Sequence, residues 1–194
     1  VSAARVQAAR KAIGPEVELM VDAHGTYTVA EAKRFAHMVA DCDLAWFEEP
    51  VSADDRAGLA EFRAFSHIPV AIGESECSRF DFAALAAGRC ADIFQPDPAF
   101  CGVITGAMRN ATIASAFNLR LAPHLWAGAP CFFAGLHVLA AAPAGFIVEF
   151  SLGANPMIHD LSRAPVRVVD GMIAVPEAPG LGLDIDPDMI ARFV

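Results

Sequence analysis

Asp22, Glu48, Glu74, Asp97, His124 and Glu149 recur along the chain at intervals of 26, 26, 23, 27 and 25 residues, with His24 close behind the first. Three carboxylates at near-equal spacing form a hard, all-oxygen donor set. That suits Mg2+, which takes a few carboxylates and leaves its other octahedral positions to water or substrate. One acid at such a position is ordinarily a solvated loop residue; three in series are harder to dismiss. Spacing does not choose between Glu48 and the adjacent Glu49.

Asp97 and His124 come next in the series. Neighbouring strands would bring them within hydrogen-bond reach, and an Asp that orients an imidazole and raises its proton affinity makes a general base for neutral pH. His24 lies two residues after Asp22, on the same side of a strand unless Gly25 turns the chain first. It reads either as a general acid or as a turn residue. Glu149 could donate to a substrate carboxylate or assist acid chemistry, or could be an interior acid paired to a neighbour. The two lysines, Lys11 and Lys33, fall in expected helices, so a base within this chain must be histidine. His37, His67, His137 and His159 read as core or surface residues, and Trp126 and Phe100 as pocket lining or ordinary packing.

The elements that must position these residues alternate. Short β-rich runs cover 17–22, 44–48, 69–74, 91–97, 119–124 and 145–149, each at or next to one of the candidates. A helix is expected from 1 to about 13. Capping-box patterns open others at Thr28 and Glu31, running to about 41, and at Ser78 and Asp81, running to about Gly88. Ser52 and Asp55 stand in the same relation before a run to about Phe65, and two more helices span about 103–117 and 129–142. Strand–helix repetition implies a parallel sheet. Because every strand ends in a polar residue, a (β/α) barrel, whose strand ends share one mouth, fits better than an open sheet with one switch point.

About six of the eight units of a barrel are present. The expected organisation is a partial barrel over residues 1–150, holding the third to eighth strands and the helix before them. Residues 151–194 form a tail with a hairpin around Asp170 and Gly171 and a short helix over 187–193. With Val as its first residue, the chain is expected to be the C-terminal portion of a larger protein.

The net charge of −9 argues against nucleic-acid partners and anionic membrane surfaces, but not against a small anion beside a bound cation. No apolar run approaches the roughly 18 residues of a membrane span. Five widely spaced cysteines without a C-x-x-C pair suggest reduced thiols in a cytoplasmic protein, with no disulfide framework and no zinc site.

Together, Val21-Asp22-Ala23-His24-Gly25, Trp46-Phe47-Glu48-Glu49-Pro50, Gly73-Glu74-Ser75, Gln95-Pro96-Asp97 and Ala122-Pro123-His124 resemble the mandelate racemase subgroup of the enolase superfamily. The resemblance runs through essentially the whole chain, and Asp22-x-His24-Gly25 with Ser78-Arg79-Phe80-Asp81-Phe82 is most similar to galactonate-dehydratase-type acid sugar dehydratases. It implies that Asp22, Glu48 and Glu74 bind Mg2+, selecting the first Glu of the pair, and that Asp97 and His124 form the base dyad. It also implies removal of the proton α to a carboxylate, an enediolate stabilised on the metal, and loss of the 3-hydroxyl with His24 as acid, giving a 2-keto-3-deoxy acid. The family's N-terminal capping domain, to which the tail would return, and its first two barrel units are absent from this chain. The rival readings are a racemase or epimerase, which needs a second base, and a non-catalytic or truncated barrel. A small anionic substrate and a homo-oligomer are expected.

Overall fold

The computed structural model describes residues 2–192. Five parallel strands, β1 (Leu19–Asp22), β2 (Leu44–Glu48), β3 (Val70–Ile72), β4 (Ile93–Phe94) and β5 (Arg120–Leu121), lie side by side in chain order. Helix α1 (Ala3–Ile13) precedes them. Then α2 (Val29–Met38), α3 (Arg56–Phe65), α4 (Arg79–Ala87) and α5 (Val103–Ala116) join successive strands, and α6 (Ala129–Ala141) follows β5. The order never reverses, so there is no switch point: the sheet is wound in one direction, as in a barrel. The arrangement is an incomplete (β/α) barrel.

Local chemistry sets the helix starts. Thr28 with Glu31 and Ser78 with Asp81 form reciprocal capping boxes. The third helix differs from expectation in that Asp55, not Ser52, is its cap, accepting the Gly58 N–H at 2.8 Å. Ser52 instead closes the preceding turn through its carbonyl, which accepts the Asp55 N–H.

The side chains alternate across the sheet as strand geometry requires. Phe47, Val70, Ile72, Phe94 and Leu121 turn towards the helices and pack with Leu59, Phe62, Phe82 and Leu85 in the main core. Each fully buried Phe contributes about 1.5–3 kcal/mol of transfer free energy. Ala71, Ile93 and Ala122 face the other way, with Trp46, Phe146 and Ile147 packed on them. Glu48, two residues after Trp46, shares that inner side, and β1 pairs Met20 with Trp46 and Asp22 with Glu48.

The strands are shorter than expected at the fourth and fifth positions. Pro96 and Pro123 have no N–H to continue the ladder, so Asp97 and His124 leave from the loops beyond. The sixth expected strand, 145–149, is not a strand. It is held to β5 by a single bridge, with the Leu121 N–H donating to Ala144 O and the Phe146 N–H to Leu121 O. Among the described residues nothing pairs with its far side, and a segment held on one edge only has little to keep it extended.

The tail contains α7 (Pro156–His159), strands β6 (Val168–Val169) and β7 (Met172–Ile173), and α8 (Pro187–Ile190). Asp170 at φ +50° and Gly171 at φ +74° turn the hairpin, the backbone a two-residue type I′ turn demands. Leu161 and Met189 pack with Leu125, Phe132, Phe133 and Leu136, securing the tail against α6. The expected terminal helix stops at Ile190; Phe193, like Val1 of the first expected helix, lies outside the described residues. No helix among the described residues is long and apolar enough to cross a membrane.

Candidate active site

Asp22 and Glu48 end β1 and β2 as register partners. Glu74 follows β3 after Gly73, whose φ of +142° is closed to L side chains and where a Cβ would stand 2.7 Å from Gln95 N. Beyond that close approach comes Glu74, whose charge, like that of Asp22, acts on Glu48. Burial raises the pKa of Glu48 from 4.5 to about 7; hydrogen bonds from Gln95 and Trp46 oppose the rise, and the charges of Asp22 and Glu74 add to it. The Trp46 indole N–H donates to Glu48 Oε2 at 3.1 Å.

His24 turns the chain itself, at φ +54°, a conformation uncommon outside glycine. Its N–H donates to Asp22 Oδ1 at 2.7 Å. The ring therefore reaches the site by a left-handed turn and not by strand alternation. Nδ1 sits 3.1 Å from Glu74 Oε1 and 3.5 Å from Asp22 Oδ2, with the side chain 71% exposed. Glu49 comes close as well. One ligand atom each of His24, Glu49 and Glu74 lie within 4.8 Å of one another, a grouping that contains Glu74 of the expected triplet but neither Asp22 nor Glu48. Glu49 is buried, and its Oε1 accepts the Ser75 hydroxyl at 2.7 Å.

Asp97 is 1% exposed and fully engaged. Oδ2 is 2.8 Å from His124 Nδ1, while Oδ1 accepts the Ala99 N–H at 2.7 Å and the Cys131 thiol at 3.1 Å. Burial would raise its pKa, but these hydrogen bonds outweigh burial and hold the carboxyl below its usual range. Burial would likewise lower the pKa of His124. The Asp97 hydrogen bond and the charges of Glu149 and Glu74 outweigh it, and the imidazole rises from 6.5 to about 9. Its Nε2 points at Glu74 Oε2, 3.5 Å away.

Glu149 accepts the Leu125 N–H at 2.6 Å, so it is tied to the loop that carries His124. With Glu48, Gln95, Trp46, Met20 and Ala122 it lines a cavity of about 210 Å3 on the inner side of the sheet. Gln95 Oε1 is buried there without a partner. Phe100 and Trp126 are more than half exposed. His37 packs edge-on against Phe65, while His137 and His159 bond to backbone carbonyls, of Leu181 and Gly153. His67 lines a separate cavity near the strand starts.

Sequence reasoning passed over Gln95 and Cys131. Gln95 had a signal, since it precedes Asp97 by two and shares its face of the chain. Cys131 had none: it reaches Asp97 from the first turn of α6, 34 residues away.

Residues 1–189 match the family described as enolase C-terminal domain-like. The chain is 36% identical to a D-galactarolactone cycloisomerase of Agrobacterium fabrum, over 97% of this chain and 52% of that protein. It is 32% identical to a D-galactonate dehydratase of Ralstonia pickettii, over 96% of this chain and 50% of that protein. Its structure matches that of a racemase from Streptomyces coelicolor with bound magnesium at a TM-score of 0.89 and 31% identity, covering 98% of this chain and 50% of that one. The chain thus spans about half the length of the curated relatives it matches. It belongs to the enolase superfamily, as the C-terminal portion of a mandelate-racemase-like member.

Proposed function

We propose that this chain carries the metal-binding and proton-transferring part of a Mg2+-dependent acid sugar dehydratase. The observation that carries the reading is the Asp97–His124 pair, with His124 Nε2 facing Glu74 while His24 faces the other oxygen of the same carboxylate. A largely buried, oriented imidazole and an exposed one then address a common space. The relative named a D-galactonate dehydratase supports it.

Asp22, Glu48 and Glu74 fit a divalent cation. All three offer oxygen, and Glu48 is a half-buried carboxyl whose charge is disfavoured by loss of solvent and by its two neighbours, a penalty that a cation removes. Glu48 is preferred to Glu49 because it shares the face and register of Asp22, whereas Glu49 is engaged by Ser75. When bound, Mg2+ would supply positive charge against the negative charge developing on the substrate carboxylate.

His124, deprotonated at Nε2 and held by Asp97 at Nδ1, removes the C2 proton, and the C–H electrons move into the carboxylate. His24 gives a proton to the C3 hydroxyl as its C–O bond breaks, so the group leaves as water and a C2–C3 double bond forms. The resulting enol takes at C3 the proton that His124 removed from C2 and gives its hydroxyl proton to His24, which yields the keto acid. The balance is sugar acid to 2-keto-3-deoxy acid plus water, with both histidines restored. Glu149 fixes the Leu125 backbone and so the loop bearing the base.

A second reading, isomerisation without loss of water, is favoured by the relative named a cycloisomerase. It begins with the same proton removal and yields a product of unchanged mass. Acid sugars incubated with the protein and Mg2+ should give keto acids lighter by one water, and nothing when the metal is chelated. Isomers of unchanged mass would establish the second reading, and keto acid formed equally after chelation would refute the metal assignment.

A further inference from the structure

Asp97 is the hinge of the base dyad, and its two oxygens are held differently. Oδ2 is committed to His124 Nδ1 at 2.8 Å. Oδ1 is held at 2.7 Å by the Ala99 N–H, two residues along the same loop, and at 3.1 Å by the Cys131 thiol, which comes from a different element. The backbone donor moves with the loop that bears Asp97. Cys131 stands on α6, whose Ala129, Phe132, Phe133 and Leu136 are buried in a second core. Of the two donors to Oδ1, the thiol is the one that comes from outside the loop bearing Asp97.

We infer that Cys131 is a positioning residue for the base: its S–H, donated to Asp97 Oδ1, fixes the rotation of the carboxylate and through it the direction in which His124 Nε2 points. The thiol suits this role because it keeps its proton; burial above all, and then the Asp97 hydrogen bond, push its pKa up to about 12. A buried thiol of that kind is a poor nucleophile and a durable donor. Water would be a poor substitute. The cavity on this side, about 370 Å3 and lined by Pro98, Val103, Pro130, Ala134 and Leu181, is almost wholly apolar and offers a replacement water few further partners. Losing a hydrogen bond to a charged group is therefore not compensated locally.

The kinetic side of this inference rests on the dehydratase reading, whereas the orientation of the ring does not. The protein labelled with 15N-histidine should show a deshielded Nδ1–H resonance for His124, assigned by its absence in His124→Asn. In Cys131→Ala that resonance should shift upfield or broaden, and in Cys131→Ser, which keeps a donor, it should persist. The rate constant kcat should fall about tenfold in the alanine variant with KM unchanged, and recover in the serine variant. Cys131→Val, close in volume but without a donor, replaces alanine should that variant not fold. An unaltered resonance in the alanine or valine variant overturns the inference, as does a serine variant that restores neither the resonance nor kcat. If no keto acid forms with the unaltered protein, the dehydratase reading fails, and the resonance alone decides the role of Cys131.

Discussion

His24 and His124 flank the Glu74 carboxylate on its two different oxygens, Nδ1 of the first 3.1 Å from Oε1 and Nε2 of the second 3.5 Å from Oε2. The two rings sit in different settings. His124 is largely buried and backed by an Asp that is itself buried, whereas His24 stands 71% exposed on a left-handed turn. That contrast divides the labour proposed here, with an oriented base on one side and an acid open to proton exchange with solvent on the other. The Glu74 charge helps to raise the pKa of His124, so metal binding at Glu74 and protonation of His124 must oppose each other.

Stability without metal should decline as pH rises. The folded pKa of His124 is raised from 6.5 to about 9, so its pairing with Asp97 stabilises fully below about 6.5 and is lost as pH climbs through about 9. Glu48 is raised from 4.5 to about 7, so its contribution too is complete at low pH and lost as pH climbs through about 7. Mg2+ removes the carboxylate penalty, and its benefit should grow over the same range. At a hundredfold excess over Kd it should contribute about 2.7 kcal/mol, about 5–10 °C in Tm for a chain of this size. Thermal melts with and without Mg2+ from pH 5 to 9 measure this; a benefit that shrinks with pH would contradict it.

Glu48→Gln and Glu49→Gln separate the two candidate ligands. Calorimetric titration should show Mg2+ affinity reduced at least about tenfold in the first, through loss of a charged ligand, and less affected in the second. The reverse order would move the site onto the His24–Glu49–Glu74 grouping.

Much of this was legible in the residues themselves. The five strands, the capping boxes at Thr28 and Ser78 and the Asp170-Gly171 hairpin each rest on local chemistry, and each formed where that chemistry pointed. The pairing of Asp97 with His124 followed from strand adjacency. What failed was non-local. Whether 145–149 becomes a strand depends on a neighbour on its far side, which the segment itself cannot reveal. The turn at His24 was open in the sequence through Gly25, but the approach of Glu49 to the same carboxylate and the reach of Cys131 to Asp97 depend on three-dimensional closeness of distant elements.

Gly73→Ala tests how the mouth is assembled. A Cβ at φ +142° and 2.7 Å from the Gln95 nitrogen forces the backbone to move. The variant should be destabilised by about 1–3 kcal/mol in urea unfolding, with Mg2+ affinity falling as Glu74 shifts. Unchanged stability and affinity would mean that the loop adapts without consequence.

Asp97→Asn should keep the fold and lower turnover by about a hundredfold or more, the scale of general-base catalysis. A neutral amide can still accept from Nδ1 but lacks the charge that strengthens the bond, so the His124 pKa falls and the rising limb of kcat/KM moves to lower pH as the maximum drops. A pH–rate profile measures both. A limb that stays in place would separate His124 from the observed titration.

The central claim is that His124 removes the α-proton and His24 expels the hydroxyl. It is tested most directly by solvent exchange in D2O with an acid sugar that the unaltered protein dehydrates. His24→Asn should exchange the C2 hydrogen of recovered substrate for deuterium while forming little keto acid, and His124→Asn should do neither. Deuterium incorporation that survives in His124→Asn, or exchange lost in His24→Asn but kept in His124→Asn, would contradict the account.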